Sequence, residues 1–276
     1  MKNFITPEEL NHNLTQCVII DCRGEMGAPA VGRAAYEKSR IPGAHFIPFD
    51  ALYAPVASHG GRHPLPCMET FVATIAHFGL HNDTPVVIYD DWGGAMGRLW
   101  WMLTYVGITN VKVLRGGFPG WLKGGFPLET ADPTAMVSEG SVTYHPREDL
   151  LVTMDMVRDI IKTQEAVLLD VRQGFRYRGE SEPLDTVAGH IPTALNCFYE
   201  DFYNHGDIAS MEVIESLLGP VKAKNKPIIT YCGSGITAPI ALLAMNEAGI
   251  APVLYVGSFS DWISYEDNDV AIGEEI

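Results

Sequence analysis

The chain has 276 residues, 47% of them hydrophobic, enough for two domains of ordinary size, each with its own core. Acidic residues outnumber basic ones, 34 Asp+Glu against 19 Lys+Arg, for a formal net charge of −15. Such a chain repels polyanions, which argues against nucleic acid or an anionic membrane surface as partner and leaves small substrates.

The opening stretch Met1-Lys2-Asn3-Phe4-Ile5-Thr6-Pro7-Glu8-Glu9 has no apolar h-region and no small-residue cleavage site, so no signal peptide is expected. No apolar run reaches the roughly 18 residues that a membrane span needs. The five cysteines, Cys17, Cys22, Cys67, Cys197 and Cys232, are odd in number and match no zinc spacing. They read as reduced thiols in a cytoplasmic protein, with no metal expected.

Taken in chain order, Val18-Ile19-Ile20-Asp21-Cys22-Arg23 is a buried-strand signal ending in Asp-x-Arg. Ile41-Pro42-Gly43-Ala44 follows, and then a Gly/Pro-rich, loop-like stretch over 54–64. Residues 69–79 carry apolar positions at helical spacing. Val86-Val87-Ile88-Tyr89-Asp90 reads as the next strand, and 97–106 as a helix stopped by Gly107. Gly116-Gly117-Phe118-Pro119-Gly120-Trp121 closes this half. Residues 123–149 are polar, hold three prolines and show no sustained periodicity, as a linker would.

The order then repeats. Val167-Leu168-Leu169-Asp170-Val171-Arg172 and Ile191-Pro192-Thr193-Ala194 are followed by a helical stretch over 211–218. Ile228-Ile229-Thr230-Tyr231-Cys232, a helical stretch over 238–248 stopped by Gly249, and Gly257-Ser258-Phe259-Ser260-Asp261-Trp262 complete the second half. Asp21 to Asp170 is a separation of 149 residues and Ile41 to Ile191 of 150, whereas Asp90 to Cys232 is 142 and Trp121 to Trp262 is 141. The register is nearly constant, and the first copy carries about eight extra residues between Ala44 and Val86. Strands alternating with helices predict two α/β domains, each a mostly parallel sheet with helices on both faces. The expected extents are 1–124 for a first domain, 125–149 for the linker and 150–276 for a second domain.

The chemistry is expected in the loop after the strand 228–231. Cys232-Gly233-Ser234-Gly235-Ile236-Thr237 joins that strand to an Ala-rich helix. In open α/β sheets, ligands bind beyond the carboxyl ends of strands. Two glycines let the backbone curl its N–H groups inward into an anion nest, and the helix N-terminus adds positive potential. A cysteine heading such a nest is expected to be a thiolate, the nucleophilic form. The other four cysteines read as structural. The first copy places Asp90-Asp91-Trp92-Gly93-Gly94-Ala95 at the same point. It lacks a nucleophile, and its carboxylates would oppose a bound anion, so it is expected to be non-catalytic and to buttress the second copy.

These motifs resemble the tandem rhodanese-like sulfurtransferases over nearly the whole chain. The markers are Asp170-x-Arg172, Gly189-His190-Ile191-Pro192 with Ala194, the Cys232 loop, and Gly257-Ser258-Phe259 with Trp262. The resemblance implies two tandem rhodanese-like domains, of which only the second is catalytic. Cys-Gly-Ser-Gly-Ile-Thr looks like the 3-mercaptopyruvate branch, since no basic side chain follows the cysteine to hold a thiosulfate dianion. In that branch two arginines grip the substrate carboxylate. Arg176 resembles the first. The second usually follows the Glu-Pro pair, where Leu184 stands after Glu182-Pro183, so Arg178 is the substitute to test. The branch also carries a serine-protease-like trio. Ser234 resembles its serine and His63 its histidine. Leu52 occupies the acid's spacing, with Asp50 two residues earlier.

The expected reaction forms a persulfide on Cys232, with the amides of 233–237 holding its charge. Arg176 and Arg178 hold the donor's carboxylate, and Ser234 and Thr237 supply hydroxyl donors. The acceptor is expected to be cyanide, a small thiol or reduced thioredoxin, and no cofactor is needed. Thiosulfate is the alternative donor, and a persulfide carrier without turnover is the non-enzymatic alternative. A cysteine phosphatase is disfavoured because Ala238 stands where an arginine should bind phosphate.

Overall fold

The computed structural model of the chain describes residues 1–56, 58–130, 139–204, 206–251 and 253–274. Residues 131–138 of the expected linker lie outside the described residues. The chain divides into two compact units. One comprises Met1–Ala54, Leu65–Arg147 and His205–Asp207. The other comprises Pro55–Pro64, Glu148–Asn204 and Ile208–Ile276. The short segment Pro55–Pro64 therefore folds with the second unit, although it lies within the first repeat.

Each unit is built on a five-stranded sheet. In the first, the order is Phe4–Ile5, Val111–Leu114, Val86–Tyr89, Val18–Asp21, His45–Phe46, every neighbouring pair parallel. In the second, it is Leu151–Val152, Val253–Tyr255, Ile228–Tyr231, Val167–Asp170, Leu195–Asn196, again all parallel. The central strands are short, mostly aliphatic runs buried along their whole length, as sheets covered on both faces require. Registers match as well. Asp21 pairs with Tyr89 and Asp170 with Tyr231, so Asp90 and Cys232 leave equivalent strand ends.

The connections also place the site. In the second unit the chain leaves Val167–Asp170 toward one sheet edge and leaves Ile228–Tyr231 toward the other. The crevice between these two carboxyl ends is the point where open α/β sheets bind ligands. Ala238–Glu247, the helix that follows, has every residue from Ala238 to Met245 buried. A helix apolar all round is a core helix, and its N-terminus is held firmly under the loop it receives.

The two Asp-x-Arg motifs have a structural task. Asp170 and Arg172 are fully buried and joined at 2.6 Å, and Arg172 also donates to the Gly189 carbonyl. Its guanidinium lies 4.0 Å from the Phe259 ring centroid. Asp21 and Arg23 repeat this with the Ser39 carbonyl and the Phe118 ring. Charges this deep persist only when paired, and each pair pins a strand end to the closing aromatic turn of its unit. Among the described residues, no helix is long and apolar enough to cross a membrane.

Candidate active site

Cys232 is 2% exposed, so an unassisted thiolate there would be strongly disfavoured. The loop reverses that. Burial alone raises the thiol, but hydrogen bonds from the Thr237 side chain and the N–H groups of Ala238, Ser234 and Thr237 outweigh it. The net shift is downward from the ordinary cysteine value. Gly235, at a φ of +76°, also turns its N–H onto Sγ at 3.2 Å. The other thiols behave oppositely. Burial pushes Cys17 to about 11 and Cys197 to about 12. Burial, reinforced by Asp90 and Asp21, carries Cys22 well above its usual range. Cys67 is exposed, and all five thiols are free.

Beneath the nucleophile sits a residue that the sequence reading passed over. Ser258 Oγ accepts the Cys232 N–H at 3.2 Å, donates to the Tyr255 carbonyl at 3.0 Å and lies 3.9 Å from Cys232 Sγ. Its φ is +56°, the left-handed region that a side chain enters at a cost of about 1 kcal/mol or more. The equivalent position in the first unit is Gly117, at φ +54°. The second unit thus keeps a strained serine where a glycine would do, and its hydroxyl is spent on Cys232.

Arg176 is in a buried network. Its Nε donates to both oxygens of Glu182, at 3.0 and 2.9 Å, and its Nη2 reaches Asp185 at 3.1 Å. Glu182 also holds Arg172. Asp185 in turn pairs with Arg62 of the 55–64 segment. Arg62 Nη2 and Arg176 Nη2 lie 3.1 and 3.3 Å from where a side chain on Gly233 would begin. Two guanidiniums therefore converge on the backbone just after the nucleophile, each fixed from behind by a carboxylate. Gly233 must be small for that approach.

Arg178 is not part of this group. It pairs with Glu180 and Glu274 on the unit's surface, about a third exposed. The reason is helical geometry: Arg176 and Arg178 flank the end of the one-turn helix Gly174–Tyr177, and residues two apart point to different sides. The second cation beside the loop is Arg62. The only hint of it in the sequence was its place next to His63, inside the segment that the second repeat lacks.

His63 does reach the loop, with Nδ1 2.8 Å from Ser234 Oγ. The acid's spacing is taken by Leu52, a buried apolar residue, and Asp50 two residues earlier accepts the Tyr53 hydroxyl. Ile236, within the loop, is buried.

The first unit has the same nest with a different head. Asp90 Oδ1 accepts the Gly93 N–H at 2.8 Å and Oδ2 the Met96 N–H at 3.1 Å. The Trp92 N–H contributes too. These are the amides equivalent to those of Gly235, Ala238 and Ser234 around Cys232. The nest is intact, and it holds its own carboxylate. Burial still prevails there: Asp90 is pushed up to about 7, with Asp91 adding to the rise.

Comparison with known proteins identifies the family. The model of the Rhodanese-like domain family matches residues 6–124 and again 153–265, so the chain belongs to that family, with two copies of the domain. It is a sulfurtransferase of the tandem type. A protein of Pseudomonas aeruginosa described as a probable 3-mercaptopyruvate sulfurtransferase is 34% identical over 98% of both chains. A putative thiosulfate sulfurtransferase of Mycobacterium tuberculosis, SseB, is also 34% identical, over 92% of this chain and 90% of its own. Among solved structures, the 3-mercaptopyruvate sulfurtransferase SseA of Escherichia coli superposes with a TM-score of 0.79 at 28% identity, covering 94% of this chain and all of that one.

Proposed function

We propose that the protein takes sulfur from 3-mercaptopyruvate onto Cys232 and passes it to a thiol or to cyanide. The observation that carries this reading is the thiolate nest of Cys232 with two carboxylate-backed guanidiniums, Arg62 and Arg176, aimed at Gly233. The donor's carboxylate sits on those guanidiniums by charge-assisted hydrogen bonds. That places its thiol sulfur over Cys232. The thiolate attacks this sulfur; an S–S bond forms and the C–S bond breaks, its electron pair passing to the carbon as the enolate of pyruvate. The thiol proton ends on that carbon, leaving the Cys232 persulfide anion and pyruvate. Ser234, hydrogen-bonded to His63, is placed to stabilise the enolate oxygen, and Thr237 and the amides hold the persulfide.

Charge balance favours a monoanionic donor. Around the loop, Arg62, Arg172 and Arg176 are offset by Asp170, Glu182 and Asp185. The set is neutral as a whole, and no basic side chain follows Cys232, so a dianion gains little. The first unit, its nest filled by Asp90, has no catalytic part in this scheme, which assigns 1–124 to a supporting domain and 150–276, with Arg62 and His63, to catalysis. Acceptor choice, whether a small thiol or reduced thioredoxin, follows from persulfide chemistry in general. The free thiols suit a reducing compartment such as the cytoplasm.

The test is steady-state sulfur transfer to cyanide with each donor. Mercaptopyruvate should exceed thiosulfate in kcat/KM by tenfold or more, and Arg62→Ala or Arg176→Ala should raise its KM by about ten- to a hundredfold. Preference for thiosulfate would overturn the donor assignment, and turnover by neither would favour a carrier.

A further inference from the structure

The closing turn of the second unit does more than support Cys232. Its residues Ser258, Ser260 and Asp261 replace Gly117, Pro119 and Gly120 of the first unit, although both turns keep the Phe and the Trp. Ser258 holds the nucleophile, as described above. The other two point to the segment 55–64. Asp261, 5% exposed, accepts the Gly60 N–H at 2.7 Å through Oδ1, while its Oδ2 accepts the Tyr255 hydroxyl at 2.7 Å. Ser260 Oγ accepts the Arg62 N–H at 3.0 Å. One residue further out, His59 Nδ1 lies 2.9 Å from Ser264 Oγ, and its ring stacks on Tyr265 at 4.0 Å.

The segment's own sequence is fitted to this seat. Gly60 and Gly61 have φ of +99° and +80°. A Cβ on Gly61 would stand 2.5 Å from the Gly257 carbonyl and 2.8 Å from Ser260 Oγ, a clash with rigid backbone. The next two residues are Arg62, beside Gly233, and His63, on Ser234. The backbone donors on either side of Gly61 are thus taken up by the two side chains that the first unit lacks.

We propose that Asp261 and Ser260 are positioning residues for sulfur transfer: by binding the Gly60 and Arg62 amides they fix the strap 55–64 and thereby aim Arg62 and His63 at the donor. The proposal rests on the assignment of Arg62 and His63 to the donor site. It gives one short helix, Ser258–Trp262, control of both halves of the chemistry, nucleophile through Ser258 and donor through the strap. It also accounts for the polar replacements: the first unit has no strap to hold, and its turn reverts to Gly, Pro and Gly.

The test compares Asp261→Ala, Asp261→Asn, Ser260→Ala and Gly61→Ala in the full-length protein. Gly61→Ala matters most, because the substitution lies in the strap and keeps every side chain of the helix. Kinetics with mercaptopyruvate are read beside the pH profile of Cys232 alkylation by iodoacetamide. Asp261→Ala and Gly61→Ala should each lower kcat/KM by about ten- to a hundredfold, mostly through KM, since misplacement of binding groups by about 1 Å has that effect. Ser260→Ala should have a smaller effect. Asp261→Asn, which keeps an acceptor for Gly60, should recover most of the loss. The alkylation midpoint should move far less than KM in all four, because the sulfur's hydrogen-bond partners are loop amides and Thr237 and Arg62 adds only a Coulombic contribution. Wild-type KM in Gly61→Ala would overturn the proposal, and so would an alkylation midpoint moving in step with KM. Cys232→Ser, run in parallel, separates the two levels: if it still turns over, the function assignment itself fails, whereas an inactive Cys232→Ser beside a normal Gly61→Ala refutes only the strap.

Discussion

The loops at Asp90 and Cys232 are one backbone device with two heads. Equivalent amides, those of Trp92, Gly93 and Met96 and those of Ser234, Gly235 and Ala238, point at the residue leaving the central strand. In the first unit that residue is a carboxylate, which fills the nest, and burial with Asp91 nearby leaves it pushed up to about 7. In the second it is a thiol. Gly233 replaces the acidic neighbour, the Thr237 hydroxyl adds a donor, and the balance tips toward the anion. The difference teaches that the fold supplies an anion site in both copies. In the proposed scheme, chemistry requires both a nucleophilic head group and cations beside it.

Exchanging the heads should break the comparison most sharply. Cys232→Asp should fold, its carboxylate taking the amides as Asp90 does, and sulfur transfer should fall by about a thousandfold or more. The reverse exchange, Asp90→Cys in a Cys232→Ser background, should add a thiol without restoring turnover. Neither Met26 nor Gly27, which precede Arg176 by 150 and 149 residues, is a cation. Cyanide-coupled assays and melting curves read both variants, and substantial turnover by either would contradict the account.

A milder exchange is Ser258→Gly, which copies Gly117. Relief of the left-handed strain should leave stability equal or higher, by up to about 1 kcal/mol, while kcat/KM falls several-fold as the Cys232 N–H loses its acceptor. A stable variant with unchanged activity would show that the strain has no catalytic return.

The smallest effect on turnover accompanies a pH dependence of stability. Asp90 titrates near 7 in the folded protein and near 3.8 as a free side chain, so the folded state binds the extra proton. Its contribution to stability is therefore fully present below about 4, is lost as pH rises toward 7, and stays lost above. Asp90→Asn removes this dependence. The variant's unfolding free energy should gain on the wild type between pH 4 and 7, by on the order of 4 kcal/mol at pH 8. A constant difference across that range would contradict the assignment.

The repeat was legible because its signals are short and local. Strands are β-branched runs, the Asp-x-Arg pairs sit at their ends, and both copies keep the same spacing. The Cys232 loop was legible for a similar reason, since glycines and hydroxyls between an apolar strand and an Ala-rich helix leave few other uses for a cysteine. Arg62 was not. It belongs to a Gly/Pro loop 170 residues before Cys232, and only tertiary packing of 55–64 onto the second unit brings it to Gly233. Arg178 lies close in sequence to Arg176, a closeness that a helical turn converts into divergence. Ser258 carries no sign of its φ in one copy alone; the glycine at its counterpart was the available clue.

The most direct test is a single turnover. Protein and excess 3-mercaptopyruvate are mixed without an acceptor, pyruvate is counted, and the protein is digested for mass spectrometry. The account predicts one pyruvate per chain and one added sulfur atom on the Cys232 peptide, discharged by cyanide. Pyruvate released with no sulfur on Cys232, or sulfur found on Cys67 instead, would contradict it.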